Sequence, residues 1–275
     1  MKYTYHTPTG GLPGQSERIY DLARFTPAYA VIPHDVMTDI VTSYLPLWHD
    51  VRAWILARPL SGFAETFAQI IVEVAPGGGS SEPEPNPKAE AVVFVVDGSL
   101  TLTIDGNKHT LAPGGFAYVA PGTDWHVSNS AKKPATFHWI RKVYETVPGI
   151  ETPSSFVTSD QETPITFMPD THKSWGTTRF VDPSDLRHDM HVNVVTFQPG
   201  GVIPFSETHV MEHGLYVLQG RAKYLLNQDW VNVGPGDFMW LRAFCPQACE
   251  AVGNEPFRYL LYKDVNRHPK LDMFT

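Results

Sequence analysis

The chain has 275 residues, of which 42% are hydrophobic and 18% charged, so it carries the apolar mass of one large domain or two small ones, and wholesale disorder is excluded. Its formal net charge of −8 excludes a global basic footprint for nucleic acid, and no apolar run approaches the ~18 residues that span a bilayer. Gly 21 and Pro 24 punctuate the sequence too densely for a helical bundle and suit short strands joined by tight turns.

Residues 1–45 read as an irregular, peripheral arm. Pro13, Pro27, Pro33 and Gly10-Gly11 break any long element, and 16–25 has room for one short helix. Met1 to His6 lacks the apolar stretch of a signal peptide. Two cysteines, Cys245 and Cys249, make no disulfide framework, so a reducing, cytoplasmic compartment is expected.

From Val51 the pattern turns to β. Runs 51–56, 66–74, 92–96, 100–104 and 116–119 are rich in β-branched and aromatic residues. Turn clusters part them: Pro76-Gly77-Gly78-Gly79, Asp97-Gly98, Asp105-Gly106 and Pro113-Gly114-Gly115. Asp-Gly between apolar runs signals a hairpin, because glycine accepts the positive φ of the turn. Short strands at this spacing predict an all-β sandwich or barrel.

The pattern then recurs. Val74-Ala75-Pro76-Gly77-Gly78 returns as Phe197-Gln198-Pro199-Gly200-Gly201, 123 residues on, and Pro113-Gly114-Gly115-Phe116 as Pro235-Gly236-Asp237-Phe238, 122 residues on. Tyr118 then aligns with Trp240, and Trp139 with Leu261. Two motifs repeated in order imply duplication. Tandem β-domains are expected at 46–150 and 151–275, joined by a linker near 145–161, where Pro148, Pro153 and a Ser/Thr cluster lie.

The second copy carries the chemistry. Glu207 and His209 are two apart, so on a strand both side chains share one face. His213 opens the apolar run 215–218, and a turn over 210–212 brings it back beside them. One carboxylate and two neutral imidazoles suit Mn²⁺, Fe²⁺, Co²⁺ or Zn²⁺; the plainer reading is a polar surface loop. Tyr259, Leu261 and Lys263 share a strand face. If it is the inner one, the Lys263 ammonium needs an anionic partner such as a substrate carboxylate; if the outer, it is solvated. Tyr224 is a wall residue with a polar tip. Asp189, His191 and Asn193 alternate onto one face, either at the pocket mouth or as satisfied strand polar groups.

Gly201-x₅-Glu207-x-His209-x₃-His213-x₆-Gly220 and Gly236-Asp237-x₄-Arg242-x-Phe244-x₂-Gln247 resemble the two cupin motifs, with Gln247 at the histidine position of the second. The duplication then resembles a bicupin, two tandem double-stranded β-helix, jelly-roll-like barrels. With the run Tyr259 to Arg267, the unusual Glu, His, His, Gln set resembles the (S)-ureidoglycine aminohydrolase family.

The resemblance implies one Mn²⁺ held by Glu207, His209, His213 and Gln247, and hydrolytic deamination of (S)-ureidoglycine to (S)-ureidoglycolate and ammonia in allantoin and purine breakdown. Lys263, Tyr259, Tyr224 and Gln247 then contact the substrate, Glu207 accepts a proton, and the chain is a homo-oligomer that binds a small anion, not nucleic acid or membrane. Another metal-dependent bicupin, a dioxygenase or isomerase acting on a small acid, is the alternative, as is a non-catalytic binder. At the four ligand positions the first copy carries Glu84, Asn86, Glu90 and Trp125, so its barrel is expected to be metal-free.

Overall fold

The computed structural model describes residues 3–12, 23–59, 63–264 and 267–268. The short helix expected at 16–25 falls mostly outside these residues, and its last two positions are strand. No helix among the described residues is long and apolar enough to cross a membrane. The expected all-β, two-barrel architecture is what the chain adopts.

In chain order the first half supplies β1 (Arg24–Phe25), β2 (Tyr29–Ile32), β3 (His49–Ala57), β4 (Ala68–Ser80), β5 (Ala89–Asp97), β6 (Leu100–Ile104), β7 (Asn107–Leu111), β8 (Gly115–Val119), β9 (Trp125–Ser128) and β10 (Ala135–Val143). The second half supplies β11 (Phe156–Ser159), β12 (Ile165–Phe167), β13 (Trp175–Arg179), β14 (Met190–Phe197), β15 (Val202–Glu207), β16 (His213–Gln219), β17 (Arg221–Leu226), β18 (Asp229–Val233), β19 (Phe238–Leu241), β20 (Gln247–Val252) and β21 (Phe257–Asp264).

One sheet, in the order β11-β8-β5-β10-β4-β9-β6-β7 with β3 beside β4, wraps the first barrel. It turns the corner within β4, where a Cβ on Gly79 (φ +149°) would stand 2.1 Å from the Val127 carbonyl oxygen, so only glycine fits. The second barrel closes from an eight-stranded sheet, β1-β2-β19-β16-β21-β14-β13-β12, and a four-stranded one, β15-β20-β17-β18. Arm strand β2 therefore joins the second barrel and linker strand β11 the first, which interlocks the two halves.

Three cores result, because the central strands are buried on both faces. Along β5, Ala91, Val93 and Val95 face a first-barrel core filled by Trp125, Phe137 and Trp139. Val92, Phe94 and Val96 face a shared core between the barrels, with Phe116, Phe180, Tyr216, Trp240 and Tyr262. Each such large apolar side chain contributes about 1.5–3 kcal/mol by leaving water. In that shared core Phe67 stacks on Tyr262 with ring centroids 3.9 Å apart. Gly214 leaves the space, since a Cβ there would stand 2.6 Å from the Phe67 ring.

The third core fills the second barrel with Val195, Val217, Leu226, Phe257, Tyr224 and Tyr259. Residues paired across antiparallel strands share a face. The inner rows are thus His191–Lys263–His213–Leu241, then Asn193–Leu261–Leu215–Met239, then Val195–Tyr259–Val217. From the facing sheet, Glu207, Gln247 and Leu226 form one inner row.

Candidate active site in the second barrel

Seven residues singled out in the sequence converge here from five strands and one loop. Glu207 is the last residue of β15 and pairs with Gln247 at the start of β20. His209 departs from the expectation: it lies beyond the strand, in the loop before β16. Strand alternation therefore does not aim it. The loop does, held by the Phe244 N–H donating to the His209 carbonyl at 2.6 Å. Glu207 Oε1 still lies 3.3 Å from His209 Nε2, and the His209 and His213 rings meet edge to face at 5.2 Å.

Lys263 sits opposite both His213 and His191 in the ladder, on the same face as Tyr259. Of the two readings of this face, the inner one is correct, since Tyr259 and Leu261 belong to the barrel core. The Tyr224 hydroxyl donates to Gln247 Oε1 at 2.9 Å, and its ring packs edge to face on Tyr259.

Burial sets the electrostatics. It pushes the His213 imidazole down to about 3, with His209 and Lys263 adding to the effect, so the ring is neutral and its lone pair free to ligate. Burial, then the Arg179 charge, also lowers the Lys263 ammonium. No carboxylate partners that ammonium among the described residues. Burial raises the Tyr224 and Tyr259 phenols, so both stay protonated donors.

The side chains approach pairwise, and among the described residues no three His, Cys, Asp or Glu side chains are grouped closely enough to hold a metal ion as placed. The donor chemistry still fits a divalent ion: a carboxylate and an amide oxygen on one sheet of the barrel, a neutral buried imidazole on the facing sheet, and a second imidazole on the loop between them. A cavity of about 720 Å³ at the barrel junction, lined by Lys88, Tyr144, Glu145 and Arg267, includes none of these residues.

The first barrel keeps a glutamate, Glu84, at the position of Glu207 and differs at the other equivalent positions. Trp125 is core, edge to face with Trp139. Glu84 pairs with Arg141, and the Asn86 side chain caps its own turn at the Lys88 N–H. The alignment of Glu90 with His213 is corrected by the ladders. Val92 pairs with Tyr118 as Gly214 pairs with Trp240, so His213 corresponds to Ala91 and Glu90 to Glu212. The one-residue offset lies in the loop between Glu84 and Ala91, where spacing alone does not locate it.

Asp189 leaves the row proposed for it. It turns to the barrel junction, where its Oδ2 meets Lys142 Nζ at 2.7 Å. His191 and Asn193 keep the inner face. Cys245 and Cys249 are buried, and burial raises both thiols, which leaves them unreactive. Two residues near the site escaped the sequence reading. Arg179 pairs with Asn193 across strands, and Glu212 anchors the loop that carries His209 from behind. For Arg179 no sequence pattern points inward; for Glu212 the signal was its place between two histidines.

The cupin-domain family model matches residues 70–141 and 193–262, once in each barrel. A curated relative from Arabidopsis thaliana named (S)-ureidoglycine aminohydrolase is 31% identical over 91% of this chain and 82% of its own. One of the same name from Escherichia coli is 27% identical over 83% and 86%. A solved structure from Pseudomonas aeruginosa, described as a glyoxylate-induced protein, is 61% identical, covers 98% of this chain and 99% of its own, and superposes with a TM-score of 0.93.

Proposed function

The chain belongs to the cupin family and, within it, to the two-barrel (S)-ureidoglycine aminohydrolases, and on that premise we propose that it hydrolyses (S)-ureidoglycine to (S)-ureidoglycolate and ammonia with a metal in its second barrel. The observation that carries this reading is the Lys263 ammonium: half-buried, on the inner face opposite His213, and without an anionic partner among the described residues. A ligand carboxylate completes it.

Glu207, His209, His213 and Gln247 would hold a divalent ion, Mn²⁺ in this reading, whose charge polarises and anchors the substrate. The chain's own groups do the rest. Lys263 and Tyr259 bind the carboxylate, which fixes the face of the reacting carbon that meets water. Tyr224 orients the Gln247 amide by its hydroxyl. Glu207 accepts a proton from the incoming water, the C–N bond to the amine breaks, and the proton leaves with ammonia. The ureido nitrogen lone pair assists that expulsion.

(S)-Ureidoglycolate is the urea adduct of glyoxylate, which accords with the description of the Pseudomonas relative and with a place in allantoin and purine breakdown. Association of like chains and a cytoplasmic setting belong to the same reading. The test is ammonia release from fresh ureidoglycine by protein of known metal content, with chiral analysis of the product. Release no faster than the spontaneous reaction, or a racemic product, removes the assignment.

A further inference from the structure

Lys263 is flanked on its own face by two neutral polar side chains that the proposed mechanism does not use. His191 is its direct cross-strand partner, and Asn193 lies one inner row deeper beside Leu261. Both point into the barrel: the alternate residues Val192 and Val194 belong to the shared core behind the sheet, while Val195 and Phe197 continue the inner face. They are 2% and 4% exposed, yet His191 Nε2 and Asn193 Oδ1 are buried without a hydrogen-bond partner. A buried polar atom left unpaired costs about 1–3 kcal/mol. Two of them on successive inward positions, about 7 Å apart along a strand, mark a place where a ligand supplies the missing partners.

The charge around them narrows the ligand. Lys263 faces His191, and Arg179 at the end of β13 faces Asn193. Burial, with Lys263 and His188 next, holds the His191 ring down to about 4, so it stands neutral beside the two cations. Carboxylate recognition thus belongs to the cations. The neutral pair presents an amide oxygen that only accepts and an imidazole nitrogen that donates in one tautomer.

The geometry points to His191 and Asn193 as the subsite for a ureido group, in which Asn193 Oδ1 accepts from the terminal NH₂ and the His191 Nε2–H donates to the carbonyl. This rests on the aminohydrolase reading for the substrate and deepens it. The barrel selects N-carbamoyl acids over other small acids because an analogue without the NH₂ leaves Asn193 Oδ1 buried and unpaired.

Ureidoacetate and N-acetylglycine test this by calorimetric binding to the manganese-loaded full chain. They match in shape and charge and differ in NH₂ against CH₃; neither carries the leaving amine, so the readout is independent of turnover. The wild type is expected to bind ureidoacetate at least tenfold more tightly. Asn193→Leu should abolish that preference while N-acetylglycine binding stays within about twofold, and Asn193→Asp, which keeps an acceptor, should retain it. A purely structural role for Asn193 would weaken both ligands alike.

Equal wild-type affinities, no ureidoacetate binding, or a preference that survives Asn193→Leu overturns the inference. If Asn193→Leu does not fold, the wild-type comparison and Asn193→Asp decide. Preference for ureidoacetate in a protein that releases no ammonia from ureidoglycine would sink the catalytic reading and leave the subsite standing.

Discussion

Glu90 and Glu212 are equivalent residues of the two barrels, and each sends its carboxylate across the junction into the other. Glu212 Oε1 accepts from the Glu65 N–H at 2.6 Å, and its Oε2 from the Thr66 N–H at 2.9 Å and the Thr66 hydroxyl at 2.6 Å. Trp240 Nε1 donates to it from its own barrel at 2.5 Å. Glu90 accepts from Tyr118, the counterpart of Trp240, at 2.6 Å. Its other neighbour is Asp189, which the Lys142 ammonium and the Glu145 N–H hold from the linker side. The same position thus serves opposite barrels in the two copies. Only the Glu212 copy lies next to a proposed ligand, His213, so in that reading the first barrel sets the posture of the site without lending it a reacting atom.

Glu212→Ala is therefore expected to cost about 1–3 kcal/mol, because it removes the acceptor of four donors, of which the Trp240 N–H is buried and those of Glu65 and Thr66 are part-buried. Glu212→Gln keeps the shape and one acceptor oxygen and should lose less. Both should weaken manganese binding by loosening His213, whereas a junction substitution remote from that loop, such as Phe116→Leu, should lower the melting temperature alone. Unfolding scans paired with metal titration separate the two; unchanged metal affinity in Glu212→Ala would refute the positioning role.

The Glu90 carboxyl is pushed well above its usual range, first by burial and then by the hydrogen bond and charge of Asp189. Burial acts the same way on Asp189, but the Glu90 hydrogen bond and Lys142 outweigh it and hold Asp189 low. A carboxyl raised on folding contributes stability that is fully present below its unfolded value, about 4.3, and is lost as pH climbs toward its folded value. Glu90→Gln mimics the protonated form. Relative to wild type it should gain stability as pH rises from 5 to 9, whereas Glu90→Ala should be less stable throughout. Urea unfolding at stepped pH reads both slopes.

Lys263→Met removes a half-buried charge with no acidic partner among the described residues, so folding should be neutral or improved. Substrate binding should not survive as well. The KM for ureidoglycine is expected to rise by about 10²-fold, since a charge-assisted bond to a carboxylate contributes about 1.5–3 kcal/mol. Tyr259→Phe, which loses only a neutral hydroxyl, should raise it by less than tenfold. A kcat that falls with KM unchanged would move Lys263 from binding to chemistry.

The sequence was most legible where period two and turn chemistry agree. The 100–104 run is β6 to the residue, and Tyr259, Leu261 and Lys263 share the inner face. It was least legible where a loop intervenes. His209 reaches Glu207 from outside the strand, and one residue slipped between Glu84 and Ala91 hides the partnership of Glu90 with Glu212. Runs such as Ala91 to Val96 announce that both faces are buried. They do not say what covers each face, so the shared aromatic core and the exchange of β2 and β11 appear only once the strands are paired.

His138 offers a pH test remote from the site. It is fully buried at the junction, edge to face with Tyr216 at 4.3 Å, and its Nδ1 lies 3.3 Å from Gln69 Nε2. Burial alone pushes the ring down to about 3 from an ordinary 6.5. In that interval the unfolded chain takes up a proton that the folded chain refuses. Stability therefore falls as pH drops through 6.5 and levels off only near 3, with a limiting slope of about 1.4 kcal/mol per pH unit for one such group. His138→Gln keeps a neutral polar side chain in the slot and should flatten the acid limb between pH 6.5 and 4 while leaving stability at pH 8 within about 1 kcal/mol. A variant whose acid limb parallels the wild type would show that other junction groups, Asp189 among them, carry the acid sensitivity.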